Sequence, residues 1–442
     1  QTCALPISKS FLNNYKIAYK EINVDDDETR KEMYFTVKEK FKLSEDLNTV
    51  PQILYEEKDD DQLLPELRYI GGFTELVREC SPYFDYNELH RVTSVVTRNL
   101  NRIIDINYYP TEKTRRSNMR HRPIGIGVQG LADVYAMMNI PFDSSEAKEI
   151  NKIIFETIYH ASMEESIHMS KERAAKMHIL KSAKEEGSWS FTEDGNGYVC
   201  GNEELKKLLN EYRPIPEEID RSTQYMGTYS SYDGSLLSKG KLQFDMWDQL
   251  DKNTLYYDWK SVRDELAKWG ARNSLLLAPM PTASTSQILG NNECFEPFTN
   301  NIYTRRTLAG EFIVINKYLM KELIELGWWN EENKNKILLH KGSIQNIAGI
   351  PTYIKDKYKT VWEMKMKHIL DMARDRGMFI CQSQSLNLWM EEPNYEKLTS
   401  MHFYGWKQGL KTGIYYLRTK AKVAAQQFTI DPTLESCESC SG

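Results

Sequence analysis

Apolar positions along the chain follow two periods. Leu89, Val92, Val95, Val96, Leu100, Ile103 and Ile104 recur at helical spacing and predict one inward helix face. Asp85 and Glu88 supply a capping pair at its start, and Pro110 follows its end. A second helix is predicted from about Ser145 to Lys171, with Ile150, Ile153, Ile154, Ile158 and Met163 inward. A third runs from about Lys355 to Arg376 and stops at Gly377. Short apolar runs at Asn273–Pro279, Met378–Ile380 and Thr412–Leu417 read as strands. This alternation predicts an α/β body with a largely parallel sheet or barrel. The stretch from about 182 to 231 is polar and glycine-containing, with local helix only near Glu203–Glu211. It is expected to be a surface insertion.

Composition narrows the class. A chain of 442 residues with 40% hydrophobic and 27% charged residues holds two or three domains and a sizeable core. The net charge of −6 gives no electrostatic reason for non-specific nucleic-acid binding. No apolar run approaches a membrane span, and the first residues lack the pattern of a signal peptide. Seven cysteines in this length do not make a disulfide scaffold. A reducing cytoplasm is the expected compartment.

Candidate chemistry lies in a few short motifs. Gly125-Ile-Gly-Val-Gln-Gly130 matches a dinucleotide fingerprint, but no strand precedes it, so tight packing is the expected use of its glycines. Glu165 and His168 have metal-ligand spacing on a helix, without the further carboxylates a di-iron site needs. Their expected role is a solvated helix face. Pro281-Thr-Ala-Ser-Thr-Ser-Gln-Ile-Leu289 follows an apolar run, with Ser284 and Gln287 at capping-box spacing. Small hydroxyl residues opening a helix suit a phosphate cradle, and equally an ordinary helix start. Asn292-Glu-Cys-Phe-Glu296 sets Asn, Cys and Glu at alternate positions; it fits either a reactive thiol or a loop with a small buried cysteine. Tyr415 and Tyr416 read as one core and one surface residue of a strand. Cys437-Glu-Ser-Cys440, in the polar tail 431–442, has no second ligand pair for zinc and reads as a dithiol shuttle.

Four segments, taken in order, carry a resemblance. They are Asn99–Pro110, Arg120–Asp133, Met280–Asn292 and Met401–Leu417. Together they closely resemble the C-terminal half of the large subunit of class I ribonucleotide reductase, over about residue 83 to the C-terminus. The resemblance implies the second half of a ten-stranded α/β barrel over 83–430. It implies that Pro281, Thr282, Ala283, Ser284 and Thr285 bind the substrate diphosphate. Tyr415 and Tyr416 would be the stacked pair that relays a radical, and Cys437 and Cys440 the dithiol that re-reduces the active-site disulfide. The family's radical-bearing cysteine lies upstream, in a segment absent here. Cys294 belongs to a different segment and is not assigned that role.

Residues 8–82 resemble a glutaredoxin. The carriers are Ile17–Asp26, Asn48–Ile53 with its Thr49-Val50-Pro51 loop, and Tyr69–Leu76 with its Gly71-Gly72 turn. That resemblance implies a partial thioredoxin-like domain over 1–82, with Thr49, Val50, Pro51, Gly71 and Gly72 binding glutathione. The family's catalytic CxxC would precede Ser8 and is absent. The leading QTCALPI is what read-through of a common sequencing adapter would encode, so residues 1–7 are expected to be non-native. The whole then reads as the C-terminal piece of a split, viral-type large subunit behind a fused glutathione-dependent reductant. The expected reaction is reduction of ribonucleoside diphosphates to 2′-deoxyribonucleotides for DNA replication, in a homo- or hetero-oligomer. Expected partners are the substrate, a metal-containing small subunit that supplies the radical, an N-terminal large-subunit half, and glutathione, glutaredoxin or thioredoxin. No metal or other cofactor is expected on this chain itself, glutathione apart, and neither nucleic acid nor membrane is expected as a partner. The alternative is a non-catalytic redox or assembly module.

Overall fold

The computed structural model describes residues 53–57, 66–71, 83–195, 197–219, 225–247, 255–307 and 310–420. Thr49, Val50, Pro51, Gly72, Cys437 and Cys440 lie outside them; Gly71 is the last residue of a described strand. That strand, β2 (Glu66–Gly71), pairs antiparallel with β1 (Ile53–Glu57).

The body is assembled around two helices. Helix α1 (Tyr86–Ile106) begins where the Asp85 carboxylate accepts from the Glu88 amide at 2.9 Å. The reciprocal half of the capping box does not form, because the Glu88 carboxylate turns to Arg91. The inward face also differs from the apolar pattern. Val92, Val95 and Ile103 are exposed, whereas Thr93 and Thr97 are buried. Each buried threonine donates its hydroxyl to the carbonyl four residues back, Leu89 and Thr93 respectively, and so enters the core without an unmet polar group.

After α2 (Glu112–His121) and α3 (Leu131–Met137) comes α4 (Ser145–Glu185). The Ser144 hydroxyl accepts from the Ala147 amide and starts the helix at the predicted place. Its 41 residues run well past the expected end at Lys171. The extension has a physical reason. Met177, Leu180 and Ala183 pack with Trp189, Leu209, Ile219 and Met226 in a separate apolar cluster. The expected surface insertion is therefore a folded unit with its own core. It contains the hairpin β3 (Trp189–Phe191) and β4 (Tyr198–Cys200), α5 (Glu203–Tyr212), where local helix was predicted, and α6 (Pro216–Ile219).

Four parallel backbone segments stand where the barrel wall was expected. The Ile124 and Ile126 amides donate to the Leu275 and Leu276 carbonyls. The Gln382 and Ser385 amides donate to Leu277 and Pro279. Strand β7 (Asn387–Trp389) then pairs in parallel with β8 (Tyr416–Arg418). Only the last pair forms a regular ladder, and the segments do not close into a barrel. Of the predicted strands, 273–279 is extended with a single bridge, Ile126 to Leu277. Met378–Ile380 is buried but not a strand: it turns off the end of α12 (Met366–Gly377), with Phe379 and Ile380 donating to Arg376 and Gly377. The expected helix from 355 to 376 is broken into α11 (Thr352–Lys357) and α12. Between them the Glu363 carboxylate accepts from the Thr360 amide and hydroxyl, and the Val361 amide donates to Phe298, which fixes a tight turn. The remaining described elements are α7 (Trp259–Trp269), α8 (Ala283–Leu289), the hairpin β5 (Ile302–Thr307) and β6 (Gly310–Ile315), α9 (Lys317–Glu325), α10 (Glu331–Leu339) and α13 (Tyr395–Lys407). Among the described residues, no helix is long and apolar enough to cross a membrane.

Buried charge joins the insertion to the body. Arg173 of α4 donates to Glu218 Oε2 at 2.5 Å, and Arg272 donates to Glu218 Oε1 at 2.9 Å. All three side chains are buried. Nearby, fully buried Arg122 holds Asp105 through two bonds of 2.8 Å and also donates to Asn101. Burial works to raise the Glu218 carboxyl, but Arg173 and Arg272 outweigh it and bring it down to about 2. Its contribution is therefore complete above about pH 4.5 and is lost as pH falls towards 2. Glu218→Ala leaves two buried guanidinium groups without their carboxylate. It is expected to cost about 3–5 kcal/mol, read as a lower urea midpoint at pH 7. A midpoint within error of the wild type would refute this role for Glu218.

Candidate active site

The predicted phosphate segment sits on the surface between two extended runs and a short helix. Pro281, Ala283, Ser284 and Thr285 are exposed, and Thr282 is half-buried. The helix α8 starts after Thr282, not at Ser284, so the Ser284–Gln287 capping box is not formed. Thr282 does not cap the helix with its side chain either. Its hydroxyl instead accepts from the Cys294 amide at 2.7 Å. The first amides of α8 are left facing outward, as helix starts require.

The glycine motif packs against this segment. A Cβ on Gly127 would lie 2.9 Å from the Pro279 Cα, and one on Gly125 would lie 3.2 Å from the Ala278 Cβ. These glycines let two backbones touch, as expected, and do not cradle a dinucleotide. The Gln129 amide, between Gly127 and Gly130, has a role that the motif alone did not show. Its Oε1 accepts from the Thr285 hydroxyl at 2.8 Å and its Nε2 donates to Asn291 at 3.2 Å. Gln129 thereby ties both ends of α8 to the extended run 124–128.

Cys294 is a structural thiol. It is buried, and burial pushes its pKa up to about 12. Its thiol donates to the Met280 carbonyl at 3.1 Å, and its backbone has φ +49. The left-handed turn and the two bonds to Met280 and Thr282 fold residues 292–296 back over the start of the phosphate segment. Asn292 completes the fold: its amide donates to Asp133 at 2.6 Å and its side chain to the Glu296 carbonyl at 2.6 Å.

Glu296 leads to the tyrosines. Asn387, on β7, donates from Nδ2 to Glu296 Oε1 and accepts at Oδ1 from the Tyr416 amide at 3.2 Å. One buried amide side chain thus couples the loop after the phosphate segment to the strand of the tyrosine pair. The expectation of one core and one surface tyrosine is not met, because Tyr415 and Tyr416 are 48% and 50% exposed. Tyr415 immediately precedes β8, where the ladder has not begun. The rings touch, with centroids 4.4 Å apart, but at 65° they meet edge-on and are not stacked in parallel. The Arg418 guanidinium lies 4.8 Å from the Tyr416 ring. Tyr416 and proximity raise the Tyr415 phenol above its ordinary range, so it stays protonated at neutral pH.

Comparison with known proteins decides the family. The family model "Ribonucleotide reductase, barrel domain" matches residues 71–416. The chain belongs to this family. Ribonucleoside-diphosphate reductase large subunits of Caenorhabditis elegans and Arabidopsis thaliana are 50% and 49% identical to it over 348 and 352 residues. The large chain of Schizosaccharomyces pombe is 50% identical over 349 residues. These matches take in 79–80% of this chain and 36–37% of the relatives, so the chain spans little more than a third of their length. Of the segments that carried the resemblance, 99–110, 120–133 and 280–292 fall inside the matched range, and 401–417 does so up to residue 416.

Glu296 gives this site a pH signature. Burial pushes its carboxyl up to about 7, against the bond from Asn387. The folded chain therefore holds a proton between about pH 4.5 and 7 that the unfolded chain has released. Stability is expected to fall as pH rises through that window, by up to about 3 kcal/mol. Glu296→Gln removes the titration and should flatten that part of the profile. Urea midpoints at pH 5 and pH 8 check this: an equal drop in both proteins would show that Glu296 does not carry it.

Proposed function

We propose that this chain is the C-terminal part of a class I ribonucleotide reductase large subunit, and that it takes part in converting ribonucleoside diphosphates to 2′-deoxyribonucleoside diphosphates. Membership of the barrel-domain family supports the reaction. The observation that carries the assignment to this chain is the hydrogen-bonded run from Thr282 through Cys294, Glu296 and Asn387 to Tyr416. It holds a surface of small hydroxyl residues and a half-exposed tyrosine pair on one connected support.

In this reading Pro281 to Thr285 hold the diphosphate. The amides at the start of α8 and the exposed Ser284 hydroxyl are donors, and donors are what an anion requires. Tyr415 and Tyr416 pass an electron. In the step between the two rings, one phenol gives up its electron and proton together to the neighbouring phenoxyl radical, which becomes the phenol, and the edge contact keeps the two side chains adjacent for that exchange. The radical originates on the metal cofactor of a small subunit, which docks on the exposed tyrosine side; the chain itself holds no metal for this chemistry. The radical cysteine belongs to the part of the relatives' length that this chain does not span. Cys437 and Cys440 reduce the disulfide formed in each turnover.

A fused glutaredoxin-like module supplies electrons to that dithiol. Its support is the Thr49-Val50-Pro51 and Gly71-Gly72 pattern, with an antiparallel pair β1–β2 that follows the first motif and ends at Gly71. Tethering raises the local concentration of glutathione-linked reductant near the tail. The host cytoplasm of a virus fits this arrangement.

Reconstitution tests the proposal. The full chain is combined with an N-terminal large-subunit half and a small subunit, and deoxynucleotide formation is measured. Product is expected, and its absence from a correctly associated complex favours the non-catalytic module. Tyr416→Phe should reduce turnover at least about 1000-fold, since phenylalanine cannot be oxidised in the same way. Cys437→Ser with Cys440→Ser should leave roughly one turnover per active site and abolish the rest. Sustained turnover in either variant would remove the corresponding assignment.

A further inference from the structure

The Glu165–His168 spacing singled out in the sequence does not make a site. Glu165 pairs with Arg98 at 2.7 Å and His168 with Glu172 at 2.8 Å. One turn earlier on α4, a different set converges. His160 and Glu164, four residues apart, meet His90 of α1. His90 Nε2 lies 3.0 Å from His160 Nδ1 and 3.1 Å from Glu164 Oε2, and His160 Nδ1 lies 3.4 Å from the same oxygen. We propose that His90, His160 and Glu164 form a binding site for a divalent transition-metal ion of the zinc type.

Three features of the geometry support this. Ligand atoms about 2.0–2.1 Å from a common ion lie about 2.9–3.4 Å apart, between octahedral and tetrahedral angles. The three observed separations fall in that range. With Glu164 ionised and a single proton shared between the facing nitrogens, hydrogen bonding satisfies only part of this set. If either facing nitrogen carries the one proton, the other nitrogen and the carboxylate oxygen still set lone pair against lone pair. A cation at the centre turns all three contacts into attractions.

The surroundings are also built to hold the rings. His160 is buried, stacked on Tyr257 at 4.3 Å and edge-on to Trp259 at 5.0 Å. That wall is fixed by Glu156, whose Oε1 accepts from the amides of Tyr256 and Tyr257 and from the Trp259 indole. Glu164 is about half-exposed and opens the site to water. Two imidazoles and one carboxylate, with positions left for solvent, suit zinc and its first-row neighbours and not calcium or magnesium, which prefer oxygen. The site joins α1 to α4 and lies outside the reductase chemistry described above.

The test uses the full chain carrying Cys437→Ser and Cys440→Ser, so that the tail thiols cannot bind the probe. The protein is loaded with zinc, excess is removed over a chelating resin, and metal per chain is counted by mass spectrometry. One equivalent is expected. Cobalt loading should give visible d–d bands without a thiolate charge-transfer band. His160→Ala and Glu164→Gln should each weaken zinc binding at least about 100-fold, while His168→Ala leaves it unchanged. Glu164→Gln is isosteric and half-exposed, so it carries the test if His160→Ala fails to fold. No retained zinc in the parent, or equal zinc in the parent and Glu164→Gln, would overturn the site.

Discussion

Three guanidinium groups in the interior, with only two carboxylates to meet them, set the frame on which this structure rests. Arg122, Arg173 and Arg272 are buried, and Asp105 and Glu218 are their anionic partners. Removing such charges from water costs several kcal/mol each, so every remaining donor needs an acceptor. The fold supplies many of these from distant parts of the chain, although Arg173 Nε is left without one. Asn101 receives two of the Arg122 donors, the Thr228 carbonyl receives Arg272, and the Tyr212 carbonyl receives Arg173. Asn273 bonds to Ser166, Asn101 and the Arg122 carbonyl. The run 275–280, which leads into the hydroxyl-rich segment 281–285, leaves directly from this cluster. The position of that segment is thus set partly by charge buried well before it in the chain.

Whether a feature could be read in the sequence depended on whether its cause was local. The starts of α1 and α4 were visible because Asp85 and Ser144 act within three residues. The packing use of Gly125 and Gly127 was visible because nothing before them could be a strand of the required kind. Three kinds of feature were hidden. Thr93 and Thr97 look like surface residues until their hydroxyls are seen to bond back into their own helix. The insertion looks like a loop because its core is drawn from scattered residues, Trp189, Leu209, Ile219 and Met226, against the far end of α4. The long third helix breaks because Glu363 satisfies the Thr360 amide, a contact with no periodic signature.

The site shows the same division. A hydroxyl-rich turn and adjacent tyrosines can be recognised as motifs. Their connection cannot, because it runs through single residues that belong to neither motif. Asn387 sits inside an apolar strand and reads as an odd polar position until both ends of its amide are accounted for. Cys294 attracts attention for its chemistry, yet burial and a φ of +49 make it a fastener. His90 and His160 are 70 residues apart in sequence, and only the packing of α1 on α4 brings them together.

Helix α4 takes part in two interiors at once. Its first half, through Ile154, Phe155 and Ile158, lies in the main core, and its last turns, through Met177 and Leu180, lie in the core of the insertion. An uninterrupted run of backbone bonds links the two. Fraying that starts in the insertion must either stop at Arg173 and Glu218 or continue towards the main core. The helix should therefore show graded amide exchange along its length, slow in the middle of the body and faster beyond Arg173. On that pattern the insertion would open as a separate foldon on a shared axle, loosening ahead of the main core.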